Sequence, residues 1–464
     1  MSPAKGAKAG STAAAPAAPR GGEPYAAGSG DLSWSAQHYD LDLQYRMATN
    51  RLDAVARIAG RAERTLTELT LDLVGLRASR VSLDGERRTA HAQRPGRLVV
   101  RPSAPIAAGD AFELEIAYAG TPTPRRTPWG LVGWEELEDG VIVASQPTGA
   151  PTWYPCNDRP SDKATYRIRV TTEQGYRVVA TGSLVEESTR SGRTTRTFDC
   201  RTPTATYLTT VQMGRYMRSA SSEAQVPVIA YYPAALEQRV RADLEPLPRM
   251  LSCFVERFGP YPFDDYTVVV TADDLEIPLE SLAGATFGAN LIDGEGGEER
   301  LIAHELAHQW FGNSVGVAGW QHIWLNEGLA CYAEWLWSEA AGGATTDALA
   351  REHHERLRRL PQDLVLGDPG PALMFDDRVY KRGALLVHAL RLTLGDVRFF
   401  GLLHDWTALH PHSTATTADF RALAAKVAPA PLDALFDAWL QETALPPLPG
   451  AAARTGGRRA RRSR

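Results

Sequence analysis

Two neighbouring segments carry the strongest signal in this sequence: residues 304–314 read HELAHQWFGNS, and residues 324–328 read WLNEG. The first segment contains His304 and His308, which are four residues apart and would lie on one face of a helix, one turn from each other. Neutral imidazole is a common zinc ligand, and two imidazoles placed in this way can bind one ion. Glu305 is rotated by one residue from His304, so it can hydrogen-bond a metal-held water without being a ligand.

Glu327 supplies a third possible ligand. The helix that carries the histidines is expected to end near Gly312, and an amphipathic helix opens at Trp324, so a helical hairpin can bring Glu327 back to the histidines. Two His and one Glu leave the fourth position of zinc to water, as in catalytic zinc sites. Glu334 lies two turns further on the same face. This position is equally compatible with two roles: a hydrogen-bond acceptor for a ligand histidine, or a solvated surface acid.

The alternative interpretation of the whole motif is a helix with two surface histidines. Glu327 on the following amphipathic helix argues against that alternative. Two surface histidines alone would not predict a third metal-ligating residue at a matching position in the next helix.

The rest of the chain divides into two parts by its hydrophobic period. Across residues 31–217, apolar and polar residues alternate in short runs separated by Gly and Pro, for example at 112–118. This pattern predicts an antiparallel β domain packed on one face. After about Glu298 the apolar period is that of helices. We therefore predict a second, mostly helical domain over residues 218–449.

Both ends of the chain differ from this body. Residues 1–30 contain no Leu, Ile, Val or Phe, so they lack the apolar stretch of a secretory signal, and we predict a disordered head. Residues 450–464 contain six Arg and no acidic residue, and we predict a disordered, solvated tail. The sequence has no run of 18 apolar residues, so no membrane-spanning helix is expected. Together these features predict a cytoplasmic protein.

Composition excludes several classes of protein. The net charge is −5, and between the two ends the chain carries 41 basic and 54 acidic residues. Such an acidic body argues against broad nucleic-acid binding and weakly favours cationic partners. The four cysteines form no CxxC pair, which argues against a secreted disulfide scaffold.

In combination, the segments quoted first resemble the zinc metallopeptidases (gluzincins) of the aminopeptidase N type, a family that also includes the leukotriene epoxide hydrolases. The family signature is HExxH, eighteen residues and then Glu, and the interval between His308 and Glu327 matches it. Residues 154–166 resemble the end of the family's β domain, and residues 258–263 resemble the start of its catalytic domain. The resemblance implies a β domain followed by a thermolysin-like domain, with one zinc ion per chain bound by Glu327, His308 and His304.

The resemblance also implies roles for residues outside the ligand set. Glu305 would be the general base, and Tyr380 resembles the tyrosine that donates to the oxyanion. The family's Gly-x-Met-Glu-Asn motif corresponds to IPLES at residues 277–281, where only the glutamate, Glu280, is retained. Glu280 and Gln146 would bind the α-amino group of the substrate. The alternatives are an ordinary strand-edge acid at Glu280 and a core tyrosine at Tyr380.

The sequence therefore predicts a zinc-dependent aminopeptidase that acts on peptides with a free N-terminus, without nucleic-acid or membrane partners. One alternative is a non-catalytic interaction protein that retains the fold, but the complete set of ligands, base and tyrosine argues against it. Another is an epoxide hydrolase. Because only 84 residues follow Tyr380, we expect a short form without the family's C-terminal helical domain, which disfavours that activity. The preferred N-terminal residue and the oligomeric state are not predicted.

Overall fold

The computed structural model describes residues 22–450. The predicted head up to residue 21 and the predicted tail from residue 451 lie outside the described residues. The first part of the described chain is built from the strands β1 (Trp34–Arg46), β2 (Arg51–Ala62), β3 (Leu69–Asp72), β4 (Arg77–Leu83), β5 (Ala90–Arg94), β6 (Arg97–Arg101), β7 (Ala111–Gly120), β8 (Arg125–Thr127), β9 (Gly130–Leu137), β10 (Gly140–Ala144), β11 (Lys163–Glu173), β12 (Arg177–Ala180), β13 (Ser183–Arg190), β14 (Arg193–Ala205) and β15 (Val211–Gly214).

These strands form three sheets, with the strand orders β13-β14-β11-β1-β2-β7-β4, β12-β15-β10-β9-β8 and β3-β6-β5. The predicted alternation holds in β1, where Tyr39, Leu41 and Leu43 are buried and the residues between them are partly exposed. The N-terminal β domain is thereby confirmed. One pair departs from the predicted antiparallel arrangement, since β1 runs parallel to β11, with His38 opposite Thr165.

The second part of the described chain is mostly helical. Its strands are β16 (Tyr216–Ser221), β17 (Val228–Pro233), β18 (Tyr266–Val270), β19 (Leu279–Ser281), β20 (Gly284–Phe287), β21 (Gly316–Val317) and β22 (Thr414–Ala415). Its helices are α1 (Glu237–Asp243), α2 (Leu247–Phe258), α3 (Glu299–Ala307), α4 (Trp324–Ala340), α5 (Thr346–Leu357), α6 (Asp377–Leu394), α7 (Asp396–Leu409), α8 (Thr417–Val427) and α9 (Asp433–Leu440). No helix within residues 22–450 is both long and apolar enough to cross a membrane.

A five-stranded sheet with the order β16-β17-β18-β20-β19 lines one side of the second domain. Strand β16 pairs with β17 in this sheet, so the boundary predicted at residue 217 falls inside a strand of the second domain. The strand period continues from β15 through β17, and a period alone does not show which sheet a strand joins. The short strand β19, which carries Glu280, lies at the edge of this sheet and pairs with β20.

Helices α4 and α6 approach each other at two glycines. A Cβ atom added to Gly328 would lie 2.8 Å from the Cα of Gly383, and one added to Gly383 would lie 2.8 Å from the Cα of Gly328. Only glycine at both positions permits this backbone contact. The contact fixes the spacing of the two helices close to Glu327 on α4 and Tyr380 on α6.

Residues 22–30, which we call the N-terminal strap, are packed against the protein rather than disordered as predicted. Tyr25 is buried. The guanidinium of Arg97 donates to the carbonyl oxygens of Gly28 (2.8 Å) and Gly30 (2.9 Å). The composition of this segment has no strand or helix period, and its contacts are tertiary and largely to backbone, so sequence patterning did not show them.

Candidate active site

The three predicted metal ligands converge on one point. His304 and His308 lie at the end of α3, and their Nε2 atoms are 3.5 and 3.4 Å from Oε2 of Glu327 on α4. All three side chains are buried, and their potential ligand atoms lie within 4.8 Å of one another. The imidazole rings are 4.7 Å apart and almost perpendicular. Two imidazoles and one carboxylate are the protein ligand set of a catalytic zinc site.

The remaining ring nitrogens of the two histidines have hydrogen-bond partners. Nδ1 of His304 lies 2.8 Å from Oε1 of Glu334, and Nδ1 of His308 lies 3.0 Å from the carbonyl oxygen of Phe311. A histidine that donates its Nδ1 hydrogen presents an unprotonated Nε2 to a metal. The sequence spacing left two roles open for Glu334, a buried hydrogen-bond acceptor or a surface acid. The structure shows the buried acceptor.

Two cations lie near Glu334 that the sequence did not point to. Nζ of Lys381 is 3.7 Å and Nη1 of Arg300 is 3.5 Å from its carboxylate. Burial raises the pKa of Glu334, but the hydrogen bond from His304 and these two cations outweigh burial and hold the pKa below its usual value. The acceptor for His304 is thus kept ionised.

Glu305 is buried beside the ligands without a partner for one of its oxygens. The side chain is 4% exposed, and Oε2 has no hydrogen-bond partner within residues 22–450. Burial raises the pKa of Glu305 to about 7, against the opposing effect of His304 and His308. An orphaned buried carboxylate oxygen is costly, and it fits a site that holds a metal and a water molecule. A carboxyl group with this pKa can accept and return a proton near neutral pH.

Glu280 and Gln146 meet beside the metal ligands from different domains. The side-chain amide of Gln146 donates to Oε1 of Glu280, at 2.5 Å. Potential ligand atoms of Glu280, Glu305 and His308 lie within 4.8 Å of one another. Burial raises the pKa of Glu280, His308 lowers it, and Glu327 raises it further. Glu280 is only partly buried, so a substrate group can reach it.

The strand that carries Glu280 is tied to the turn after α3. The carbonyl oxygen of Ser281 accepts hydrogen bonds from the side-chain amides of Asn313 (2.7 Å) and Gln309 (3.4 Å). Gln309 follows the HELAH segment directly and Asn313 lies four residues further on, but their types alone did not indicate a role. They fix the edge of the sheet relative to the helix of the histidines.

Tyr380 lies on the first turn of α6, with its ring 6.1 Å from that of His304. Burial raises the pKa of Tyr380 well above its usual value, and Glu327 and Glu280 raise it further. The phenol is therefore protonated at neutral pH and is able to donate. With Tyr380, all seven predicted site residues lie around one point, the others being Gln146, Glu280, His304, Glu305, His308 and Glu327.

Comparison with known proteins assigns two long segments of the chain to one family. Residues 35–208 match the family described as Peptidase M1 N-terminal domain, and residues 243–439 match the Peptidase family M1 domain. The chain belongs to the M1 peptidase family. This confirms the predicted resemblance and the two-part fold, a β domain followed by a helical catalytic domain.

Solved structures of M1 peptidases share the fold over nearly their whole length. The M1 zinc metallopeptidase from Deinococcus radiodurans is 31% identical, with a TM-score of 0.84, and the match covers 92% of this chain and 98% of that chain. A mutant of that protein was solved with a Tyr-Ser-Ala substrate. A two-domain M1 zinc metallopeptidase mutant bound to L-tryptophan is 32% identical, with the same TM-score, and the match covers 92% of this chain and 99% of that chain.

Curated relatives are more distant and longer. A leucyl aminopeptidase from Saccharolobus solfataricus is 22% identical over 437 residues, which are 88% of this chain and 53% of the relative. Aminopeptidase M1-A from Oryza sativa subsp. japonica is 26% identical over 382 residues, which are 75% of this chain and 42% of the relative. This M1 peptidase chain thus spans about half the length of the curated relatives it matches, or less.

Proposed function

We propose that this M1 peptidase is a zinc-dependent aminopeptidase that removes N-terminal residues from peptides. The observation that carries the proposal is the position of Glu280, bonded to Gln146 and within 4.8 Å of potential ligand atoms of His308 and Glu305. A carboxylate fixed beside the metal pairs with the substrate's ammonium group. Only the first peptide bond of the substrate then reaches the reacting centre. The aminopeptidase names of the curated relatives and the tripeptide substrate of the solved relative support this substrate class.

In the proposed mechanism His304, His308 and Glu327 hold one zinc ion. Zinc, when bound, polarises the scissile carbonyl and makes a water molecule more acidic. Glu305 accepts a proton from the attacking water and returns it to the leaving amine. Tyr380 donates its phenol hydrogen to the oxygen that becomes negative. For Tyr380 the surroundings favour the protonated form that this role requires.

A comparison of free and blocked substrates tests the proposal. We expect N-acetylated aminoacyl-fluorophores to be cleaved far more slowly than the same compounds with a free amine. A charge-assisted hydrogen bond contributes roughly 1.5–3 kcal/mol, so Glu280→Ala is expected to lower kcat/KM for the free amines about ten- to two-hundred-fold. Blocked substrates should hardly change.

Glu276→Ala serves as the matched control, because Glu276 is exposed and precedes the same strand. Its kcat/KM is expected to stay at the wild-type value for both substrates. Equal cleavage of free and blocked substrates by the wild-type protein would contradict the aminopeptidase proposal and indicate an endopeptidase.

A further inference from the structure

The chain that leads into α6 is held by the N-terminal domain. We call residues 368–376 the approach segment, since Tyr380 follows it on the first turn of the helix. The indole Nε1 of Trp129, in the turn between β8 and β9, donates to the carbonyl oxygen of Pro371 at 2.7 Å. The ring of Trp129 also packs edge-on against Phe375, with the centroids 6.2 Å apart. A side chain of one domain thus contacts the approach segment of the other at two positions.

The N-terminal strap provides a second, separate attachment. The phenol of Tyr25 donates to the carboxylate of Asp368 and accepts a hydrogen bond from the backbone N–H of Gly370 at 2.9 Å. Burial and the hydrogen bond to Asp368 raise the pKa of Tyr25 above its usual value, so the phenol keeps its hydrogen.

The strap also contacts the approach segment indirectly, through Trp320. Oε1 of Glu23, in the strap, accepts from the backbone N–H of Trp320 at 3.3 Å. The Trp320 ring in turn lies 6.4 Å from that of Phe375. The strap therefore reaches the approach segment both directly and through Trp320.

Within the second domain, other contacts hold α6 on both sides of Tyr380, including hydrogen bonds from Arg378 to Asp363 and to the carbonyl oxygen of Pro361. The contact of Gly383 with Gly328 fixes the helix axis one turn beyond Tyr380. Before Tyr380, the carboxylate of Asp376 caps the helix by accepting from the backbone N–H of Arg378 at 2.9 Å. The cap residue belongs to the approach segment, so a displacement of the segment also moves the start of the helix.

We propose that Tyr25 and Trp129 are positioning residues for Tyr380, and that the N-terminal domain thereby sets the place of the oxyanion donor. The inference rests on the proposed role of Tyr380. Neither residue is among the seven predicted site residues. Both hold the segment whose last residue caps α6, four residues before the reacting phenol. Hydrogen-bond donors stabilise an oxyanion only at a fixed distance, and small displacements lower turnover steeply.

The test uses Tyr25→Phe, which removes only the hydroxyl group, and Trp129→Phe, which removes the indole donor. For each we expect kcat on a free-amine aminoacyl-fluorophore to fall roughly tenfold, as for a sub-ångström displacement of a catalytic group. KM and zinc content are expected to stay within about twofold of the wild type. The reason is that Glu280, which would bind the substrate's amine, and the predicted metal ligands lie on elements other than the approach segment. Denaturant unfolding shows whether either variant is folded, and the second variant keeps the test valid if one is not.

Tyr176→Phe is the matched control. Like Tyr25, Tyr176 donates its phenol hydrogen to a carboxylate, that of Asp139. This hydrogen bond lies at the exposed surface and within the N-terminal domain, so it does not reach the approach segment. Wild-type kcat is expected in this variant. A wild-type kcat in both Tyr25→Phe and Trp129→Phe would overturn the inference.

A double-mutant cycle separates positioning from a general effect on the fold. Tyr380→Phe alone should lower kcat by about 10²–10³-fold. Adding Tyr25→Phe to Tyr380→Phe should lower it no further, because the donor that Tyr25 positions is already gone. Additive losses would overturn the inference and leave the aminopeptidase proposal standing. A wild-type kcat in Tyr380→Phe would overturn the proposed role of Tyr380, and the positioning inference with it.

Discussion

Glu305 shows how one residue acquires its chemistry from its surroundings. Its carboxylate is buried against two histidines, yet one oxygen has no partner within the described chain. Elsewhere in a protein such an oxygen would be a defect in stability. Beside the three predicted metal ligands it is available to accept the proton that the proposed mechanism requires.

At this scale we expect Glu305→Gln to separate metal binding from chemistry. Glutamine keeps the shape of the side chain but cannot accept the proton, so turnover should fall by at least ~10²-fold. Elemental analysis should show an unchanged content of about one zinc per chain. His304→Ala is the contrasting variant, since it removes a ligand and should lose zinc and activity together. A Glu305→Gln protein of wild-type activity would show that Glu305 is not the base.

The same residue predicts the acidic limb of the pH profile. A general base acts only when deprotonated, so activity falls as the pH drops through its pKa. Burial raises the pKa of Glu305 to about 7, and a bound zinc ion lowers it. We therefore expect kcat/KM of the wild-type protein to decline below pH 7, and this limb to be absent from the residual activity of Glu305→Gln.

At the scale of elements, the site depends on the close approach of α4 and α6. Glu327 and Tyr380 come from these two helices, and the contact between Gly328 and Gly383 sets their spacing. Helices with ordinary side chains at the contact pack 8–10 Å apart. A wider spacing would separate the predicted metal ligand Glu327 from Tyr380, the proposed oxyanion donor.

Gly383→Ala should therefore destabilise the protein although alanine favours helices. Its Cβ would lie 2.8 Å from backbone, and such overpacking costs about 1–3 kcal/mol of the free energy of unfolding. The control is Gly401→Ala on the exposed face of α7, where a Cβ meets nothing within 4 Å. That change should stabilise the protein by up to ~1 kcal/mol. Denaturant unfolding of both variants measures the difference, and equal stabilities would contradict a required backbone contact.

At the scale of the whole molecule, the two domains are joined next to the metal site. Lys163, at the start of β11, donates from Nζ to the carbonyl oxygens of Ser314 (2.8 Å) and Asn313 (3.2 Å) in the turn after α3. The phenol of Tyr207 donates to Gly312 in the same turn, at 3.2 Å. The β domain therefore supports the turn whose preceding residue, Phe311, accepts from His308.

We expect the stability of this junction to depend on pH through Lys163. Burial lowers the pKa of Lys163 from 10.5 to about 7, so between these values the unfolded chain binds a proton that the folded chain does not. The free energy of unfolding should then rise with pH across this window. We expect Lys163→Met to lack this rise, and urea unfolding at pH 7 and pH 9 compares the two proteins. A parallel pH dependence of both would show that Lys163 stays charged when folded.

The sequence by itself determined the features that follow from a fixed period. A helix places residues four apart on one face, so the spacing alone pairs His304 with His308 and allows Glu327 to join them from the next helix. Alternation likewise identified the β domain, because one face of its sheets is buried. The family resemblance added Glu280, Gln146 and Tyr380 as predicted site residues, and the structure brings all three to the same point.

Only the tertiary structure decided the features that depend on which surfaces meet. The burial of Glu334, the parallel pairing of β1 with β11 and the sheet that β16 joins are examples. So are the packing of residues 22–30 and the attachment of Trp129 to Pro371. Each joins residues far apart in the chain through single hydrogen bonds or backbone contacts. Such contacts leave no periodic trace in the sequence, because the period of a segment shows which of its faces is buried and not which distant segment covers it.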